Sequence, residues 1–235
     1  VSADALDAIL AHLDTERTGA EVRAAFARAV LRRIPDSQVE AADPAAIAAA
    51  LADAFEFVDQ RPPDDIAVRV VEPAVTLTGT PPAGSVLEVS CEDRQFIVTT
   101  VEEELHRLGQ AIGGILHPVY GCERGPDGRL AAIVAARTAT RRESFLQLEL
   151  AAPLAPAARQ PIVDALHSAL CDVFAVTGDY RAMRAEVAAA ADRARATAGL
   201  RYPADEVAEA VAMLEWMLDG NVVLLGCRHH PPDRP

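Results

Sequence analysis

The residues best suited to chemistry gather once in this sequence, in Glu92-Asp93-Arg94-Gln95 and the Phe96 that follows. The run lies between an alternating apolar strand and an amphipathic stretch, which places it at a strand-to-helix junction. A helix N-terminus offers unpaired backbone N–H groups and a partial positive charge, and both suit a small anion such as an amino-acid carboxylate. The same residues also make a plain helix cap, with Asp93 accepting from the first backbone N–H groups. Glu92, Asp93, Arg94, Gln95 and Phe96 are therefore the candidate effector-binding residues.

No catalytic constellation accompanies them. The sequence has no GxGxxG, no GxxxxGK[ST] and no nucleophile-elbow pattern, the traces that nicotinamide, ATP and acyl-transfer sites usually leave. His117, before Pro118, is expected to be packed or hydrogen-bonded rather than a base. Cys227, His229 and His230 would have to hold a metal from one tail, which fits poorly with four-ligand zinc, so no metal site is expected. Glu102-Glu103-Glu104 reads as a solvated helix face. Cys91, Cys122, Cys171 and Cys227 are far apart and are expected to be buried small hydrophobes rather than a disulfide set.

The elements around the junction follow from apolar spacing. Leu87, Val89 and Cys91 alternate with Val86, Glu88 and Ser90 as a buried strand. Ile97, Val101, Leu105, Leu108 and Ile112 make one helical face, with Asp93 or a Thr100-x-x-Glu103 capping box at its start and Gly109 at its end. Ile115 to Tyr120 forms a second strand, Glu123 to Gly128 a turn, and Leu130 to Ala136 the returning strand. Glu143 to Leu150 alternates cleanly, with Leu146, Leu148 and Leu150 on a covered face. Phe145, Gln147 and Glu149 take the other face, which is expected to be partly wet. A helix is expected after Pro161, carrying Ile162, Leu166, Leu170 and Val173. The result is an α+β fold, a ferredoxin-like antiparallel sheet with helices on one face.

Helices flank this core. Leu6, Ile9, Leu10 and Leu13 form one stripe, and Val22, Phe26, Val30 and Ile34 a second that ends at Pro35. Ile47, Leu51, Phe55 and Val58 form a third behind an Asp43-Pro44 cap. Arg61-Pro-Pro-Asp-Asp65 breaks the helical pattern, and Pro73 puts the Ile66–Leu77 strand at an edge. After the core, an Ala- and Arg-rich helix runs from Asp179 to about Ala198. A further helix carries Val207, Val211, Leu214 and Leu218 to Gly220, and Val222–Cys227 reads as one more buried strand.

The bulk properties narrow the partners. A net charge of −13 disfavours nucleic acid and anionic membrane surfaces. No apolar run approaches the ~20 residues that span a bilayer, and the first residues lack signal-peptide character, so the expected compartment is the cytoplasm. The tail follows directly on an apolar run, as in a piece cut from a longer chain.

Several runs resemble the N-terminal region of the large NAD-specific glutamate dehydrogenases. They are Val86-Leu-Glu-Val, Phe96-Ile-Val, Glu104-Leu-His-Arg-Leu-Gly109, Ile115-Leu-His-Pro-Val119, Arg142-Glu-Ser-Phe-Leu-Gln-Leu-Glu149, Asp179-Tyr-Arg-Ala-Met183, and Leu214-Glu-Trp-Met217 with Leu224-Leu-Gly226 and Arg228. They occur in the family's order. Two departures stand out: Gln95-Phe-Ile-Val-Thr-Thr100 replaces the family's Pro-Phe-Leu-Val-Asp-Ser run, and Cys227 replaces the tyrosine of Leu-Gly-Tyr-Arg.

The resemblance implies ACT-type regulatory modules here and a dehydrogenase domain far downstream. The apolar patterns divide the chain into a helical N-terminal cap (1–61), an α+β domain (62–177) that the resemblance makes ACT-like, a helical linker (178–219) and the start of a following domain (220–235). The resemblance implies a full-length chain that oxidatively deaminates L-glutamate with NAD, with no cofactor and no catalytic residue in this part. Its implied partners are downstream domains of the same chain, a homo-oligomer and a small amino-acid effector. A free-standing amino-acid-sensing module is the alternative.

Overall fold

A computed structural model describes residues 2–13, 19–62, 64–200 and 202–228. Its contacts divide the chain into two compact units, 1–171 and 172–235. In the first, helices α1 (Ala3–His12), α2 (Ala20–Leu31), α3 (Asp36–Ala41) and α4 (Pro44–Gln60) precede the strands. Asp43 caps α4 by accepting from the Ala45 N–H at 3.2 Å, with Pro44 in the first turn, as the sequence requires.

The sheet contains β1 (Ala67–Val71), β2 (Val86–Glu92), β3 (Ile112–Leu116), β4 (Val119–Arg124), β5 (Leu130–Val134) and β6 (Arg142–Leu150), all paired antiparallel. The order is β1-β2-β6-β4-β5, and β3 pairs with the far end of β6 beyond β4. Pro118 interrupts the expected Ile115–Tyr120 strand, so two short strands share one edge of β6. β2, β6 and the β3/β4 line are joined as in a ferredoxin-like fold. The outer strand beside β2 is β1, drawn from before the motif, and it stops ahead of Pro73.

Between β2 and β3 runs α5 (Ile97–Arg107), whose Ile97, Val101 and Leu105 are fully buried. Burying each is worth about 1.5–3 kcal/mol. The helix ends at Gly109, with φ at 72° and the Gly109 and Gln110 N–H groups returning to His106 and Leu105. Ile112 therefore leaves the expected helical face and opens β3. The expected cap also differs: Phe96 holds the N-cap position, and no side chain caps the helix.

Both faces of β6 are buried, against the expectation of a wet side. Leu87, Val89, Leu146 and Leu148 share one face by register. The opposite face carries Phe145 and is covered by the N-terminal helices. There Phe26 of α2 meets Phe55, Tyr120 and Phe145 edge-on at 5.7, 5.7 and 6.1 Å. Such pairs add about 0.5–1.5 kcal/mol each beyond burial, which concentrates the value of an aromatic-poor chain at one point.

Helix α6 (Pro156–Ala196) begins a turn earlier than expected and keeps Pro161 near its start. It runs without a break past Asp179, where a separate helix is expected. By length and composition alone α6 is able to cross a membrane, which a single such helix supports only weakly. In the second unit the later turns of α6 and α7 (Ala204–Trp216) form a helical pair that buries Met183, Ala191, Val207 and Val211. The Arg184 guanidinium donates to the Leu218 carbonyl at 2.7 Å, and Arg195 pairs with Glu215. A wide final turn, Met217–Asn221, closes at Gly220. The expected strand at Val222–Cys227 is not formed: the segment pairs with nothing among the described residues, and Val223 and Leu225 are exposed. His229 and His230 lie outside the described residues.

Candidate functional site

The structure brings the five junction residues together and shows what holds them. β2 ends at Glu92, which pairs with Arg94 at 3.2 Å. Asp93 extends the ladder through its N–H to the Arg142 carbonyl at 2.9 Å. Its carboxylate accepts from Ser144 Oγ at 2.8 Å and lies 3.6 Å from the Arg142 guanidinium. Asp93 is thus turned toward β6 instead of capping α5. Gln95 is exposed, and Phe96 is half-exposed with φ at 71°, the left-handed region that favours glycine.

Ser144 also meets His117 Nε2 at 3.1 Å. The single Ser144 hydrogen goes to Asp93, so the network assigns the Nε2 hydrogen to His117, donated to Ser144. Burial lowers the His117 pKa, with Asp93 opposing and Arg33 assisting, which favours the neutral ring. The order Asp–Ser–His puts the hydroxyl in the middle of the chain. A nucleophilic triad needs the imidazole between hydroxyl and carboxylate, and Ser144 is also fully buried. This line of hydrogen bonds positions the junction and does not activate a nucleophile.

The same stretch of β6 holds the main buried ion cluster. Glu143 is fully buried and meets Arg61 at 2.6 Å, Arg124 at 2.7 Å and Arg141 at 3.1 Å. Burial alone opposes its charge, but hydrogen bonds and charge from Arg124 and Arg61 prevail and hold its carboxyl down at about 2. Arg124 grips both Glu143 oxygens and also donates to the Val58, Asp59 and Arg61 carbonyls, at 3.0, 3.4 and 3.2 Å. These are the unsatisfied acceptors at the C-terminal end of α4, where a cation is favoured. Asp59 completes the joint by accepting from the Leu130 N–H at 2.8 Å and pairing with Arg129 at 2.5 Å. The N-terminal helices are thereby tied to the β4–β5 hairpin.

A second polar group sits nearer the β1 edge. Arg69 pairs with Glu88 at 2.6 Å and with Asp53 at 2.5 Å, and Gln147 donates to Glu88 at 2.8 Å. Burial pushes the Glu88 carboxyl up despite Arg69 and Gln147. Gln147 also accepts from the Leu77 N–H at 3.0 Å, which anchors the 73–80 segment across the sheet. On one side of that strap is a cleft of about 340 Å³ lined by Arg33, Thr76, Thr78, Thr80 and Glu149; on the other is one of about 390 Å³ with an alanine wall from α4.

A family model described as glutamate dehydrogenase, ACT1 domain, matches residues 26–166, more than half of the chain. The chain belongs to the glutamate dehydrogenase ACT1 family. The NAD-specific glutamate dehydrogenase of Halomonas elongata is 28% identical over 175 residues, covering 73% of this chain and 11% of that protein. That of Mycobacterium tuberculosis is 30% identical over 146 residues, covering 61% and 9%. That of Pseudomonas aeruginosa is 27% identical over 180 residues, covering 74% and 11%. The chain thus spans about a tenth of the length of the curated relatives it matches.

The ACT1 match opens inside α2 and closes in the first turns of α6, so it takes in the helices tied to the sheet by Arg124 and Glu143. The β2–α5 junction of this ACT1 region does not fit a dinucleotide. It has no glycine for close approach of a pyrophosphate, and Asp93 and Glu92 put negative charge where phosphates would lie. Among the described residues no group of three or more His, Cys, Asp or Glu side chains is placed to hold a metal. Cys91 and Cys122 are buried as expected, with thiols that burial pushes up to about 12, whereas Cys171 and Cys227 are exposed. The spacing arguments missed Arg61, Arg124 and Glu143. The one available signal was Glu143 and Gln147 on one face of a strand whose other face ends in Leu146, Leu148 and Leu150.

Proposed function

We propose that this ACT1 region is a non-catalytic regulatory and scaffolding part of a cytoplasmic NAD-dependent glutamate dehydrogenase. The full-length chain would convert L-glutamate to 2-oxoglutarate and ammonia, with NAD bound elsewhere in the polypeptide. Its partners would be downstream domains of the same chain and further copies of itself. The supporting observation is the use of the buried charges: Glu143, Arg61, Arg124 and Asp59 all join helices to sheet. Charges so committed suit a rigid block on which other domains assemble. The test is to delete this region from the full-length enzyme and follow oligomeric state and glutamate kinetics. Unchanged assembly and unchanged kinetics would refute the reading, as would NAD reduction by the isolated chain.

A second reading, an amino-acid sensor, is favoured by the partial exposure of the β2–α5 junction, where Glu92, Asp93, Arg94, Gln95 and Phe96 follow one another. An amino acid present at a hundred times its dissociation constant would add about 2.7 kcal/mol of stability. Loss of that gain in Arg94→Ala would place the ligand at the junction.

A further inference from the structure

We propose that Cys171 is a site of reversible thiolation, where His167 takes the thiol proton and the sulfur exchanges with small disulfides. The proposal stands apart from the regulatory reading above. Cys171 and His167 are four residues apart on α6 and so are neighbours on one face of the helix. Cys171 Sγ lies 3.7 Å from His167 Nδ1, hydrogen-bond range for sulfur. Beyond the ring, His167 Nε2 lies 4.0 Å from Oδ1 of Asp65, in the segment that leads into β1. All three residues belong to the first compact unit.

The imidazole thus stands between thiol and carboxylate, the order that Asp93, Ser144 and His117 lack. Asp65 is itself held in place. Its Oδ1 accepts from the Ile66 N–H at 2.8 Å, and its carbonyl accepts from the Arg61 guanidinium at 2.8 Å. The neighbouring carboxylates are committed elsewhere: Asp64 to Arg141 at 3.2 Å, and Asp164 to Gln160 at 2.8 Å. A carboxylate facing Nε2 favours the tautomer with its hydrogen there, which leaves Nδ1 to receive the thiol proton.

Exposure decides what such a trio does. Cys171 is open to solvent, and the side chains of His167 and Asp65 are 45% and 56% exposed. That suits a reactive surface thiol and not an enclosed catalytic centre, because an exposed ring neither fixes a substrate nor excludes water. Cys91 and Cys122 are buried, which keeps them out of reach of the same reagent. At a net charge of −13, a neutral or cationic disulfide approaches more readily than an anionic one.

The exchange needs no further reactant. The Cys171 proton moves to His167 Nδ1, and the freed sulfur attacks one sulfur of the disulfide. A Cys171–sulfur bond forms as the disulfide's own bond breaks, and the departing thiolate takes the proton from His167. Cys171 is oxidised to a mixed disulfide, and the other half of the reagent is reduced to a free thiol. Excess thiol runs the exchange backwards and restores Cys171.

The test is reaction of the 235-residue chain with bis(hydroxyethyl) disulfide at neutral pH, quenched with acid at intervals and read by mass spectrometry of digests. Expected is a Cys171 adduct that forms about ten-fold faster in the native chain than in the chain unfolded by urea, less than a fully positioned base contributes. His167→Gln should bring the native rate down to the unfolded one. Asp65→Asn should slow it about three-fold, the worth of an exposed ion pair. Dithiothreitol should remove the adduct. Both substitutions are at exposed side chains, and undiminished maleimide labelling of Cys171 to completion would show that its sulfur stays accessible in each. A native rate no faster than the unfolded one, or an unchanged rate in His167→Gln, would overturn the proposal. An unchanged rate in Asp65→Asn would overturn the part given to Asp65.

Discussion

Replacing Glu143 by Gln removes the charge on which Arg61, Arg124 and Arg141 converge. Its carboxyl is held at about 2 in the fold against an ordinary 4.5, a gap worth about 3 kcal/mol at neutral pH. Breaking a buried pair while leaving its cations in place costs about 3–5 kcal/mol by comparison with other proteins, in line with that figure. Arg61 and Arg124 are the cations left behind, with side chains only 0% and 4% exposed. Because a domain of this kind has about 5–15 kcal/mol in total, Glu143→Gln should be folded but marginal. The pH dependence identifies the cause. A carboxyl depressed in the fold contributes stability that is present above its unfolded pKa and is lost as pH falls through the folded one. The wild-type advantage over Glu143→Gln should therefore be full at neutral pH and shrink from 4.5 down to about 2. Urea titrations at a series of pH values measure this directly. A loss no larger than the about 1 kcal/mol of a surface pair, or an advantage that stays flat across the acid range, would refute the assignment.

Other outcomes follow from single residues. Glu88 has the opposite sign: its carboxyl is raised by burial, so its contribution is full below the ordinary value and declines as pH rises through the folded one. The wild-type advantage over Glu88→Gln should thus shrink with rising pH, read by the same titrations. Phe96→Gly should stabilise by about 1 kcal/mol in thermal denaturation, since glycine accepts the left-handed backbone and the ring is 55% exposed. A maleimide should label Cys171 and Cys227 in the native chain, leaving Cys91 and Cys122 unlabelled until denaturant is added, as mass spectrometry of digested protein would show.

Much of the local structure was legible in the sequence because local rules decide it. Asp43-Pro44 starts α4, Gly109 ends α5, and the alternation of β2 and β6 reflects their pairing. Ile112 was misread because its spacing from Leu108 continues the helical repeat, while Gly109 between them reverses the backbone. The polar side of β6 was misread for a different reason. Gln147 and Glu149 alternate with leucines as a wet face would, Glu143 falls on the same side, and the partners Arg61, Arg124 and Leu77 are set by tertiary contact. Val222–Cys227 shows the converse: an apolar run suited to a strand forms none where no neighbouring strand pairs with it among the described residues. The cleft was illegible too, since Arg33, Thr78 and Glu149 meet only once the sheet is built.

Arg142-Glu143-Ser144, one of the runs that resemble the dehydrogenase family, has a structural meaning that unites these observations. Three consecutive residues on β6 face alternate sides, Arg142 and Ser144 toward Asp93 and Glu143 toward the arginines. Arg142 approaches Asp93 of the β2–α5 junction, Glu143 gathers the arginines that tie down α4, and Ser144 joins Asp93 to His117. The junction and the N-terminal helices are thus held by neighbouring positions on one strand. Movement of β6 would be transmitted to both. Hydrogen exchange at the β2–α5 junction and in α4, compared between wild type and Glu143→Gln, would show that shared hold, and loosening confined to α4 would refute it.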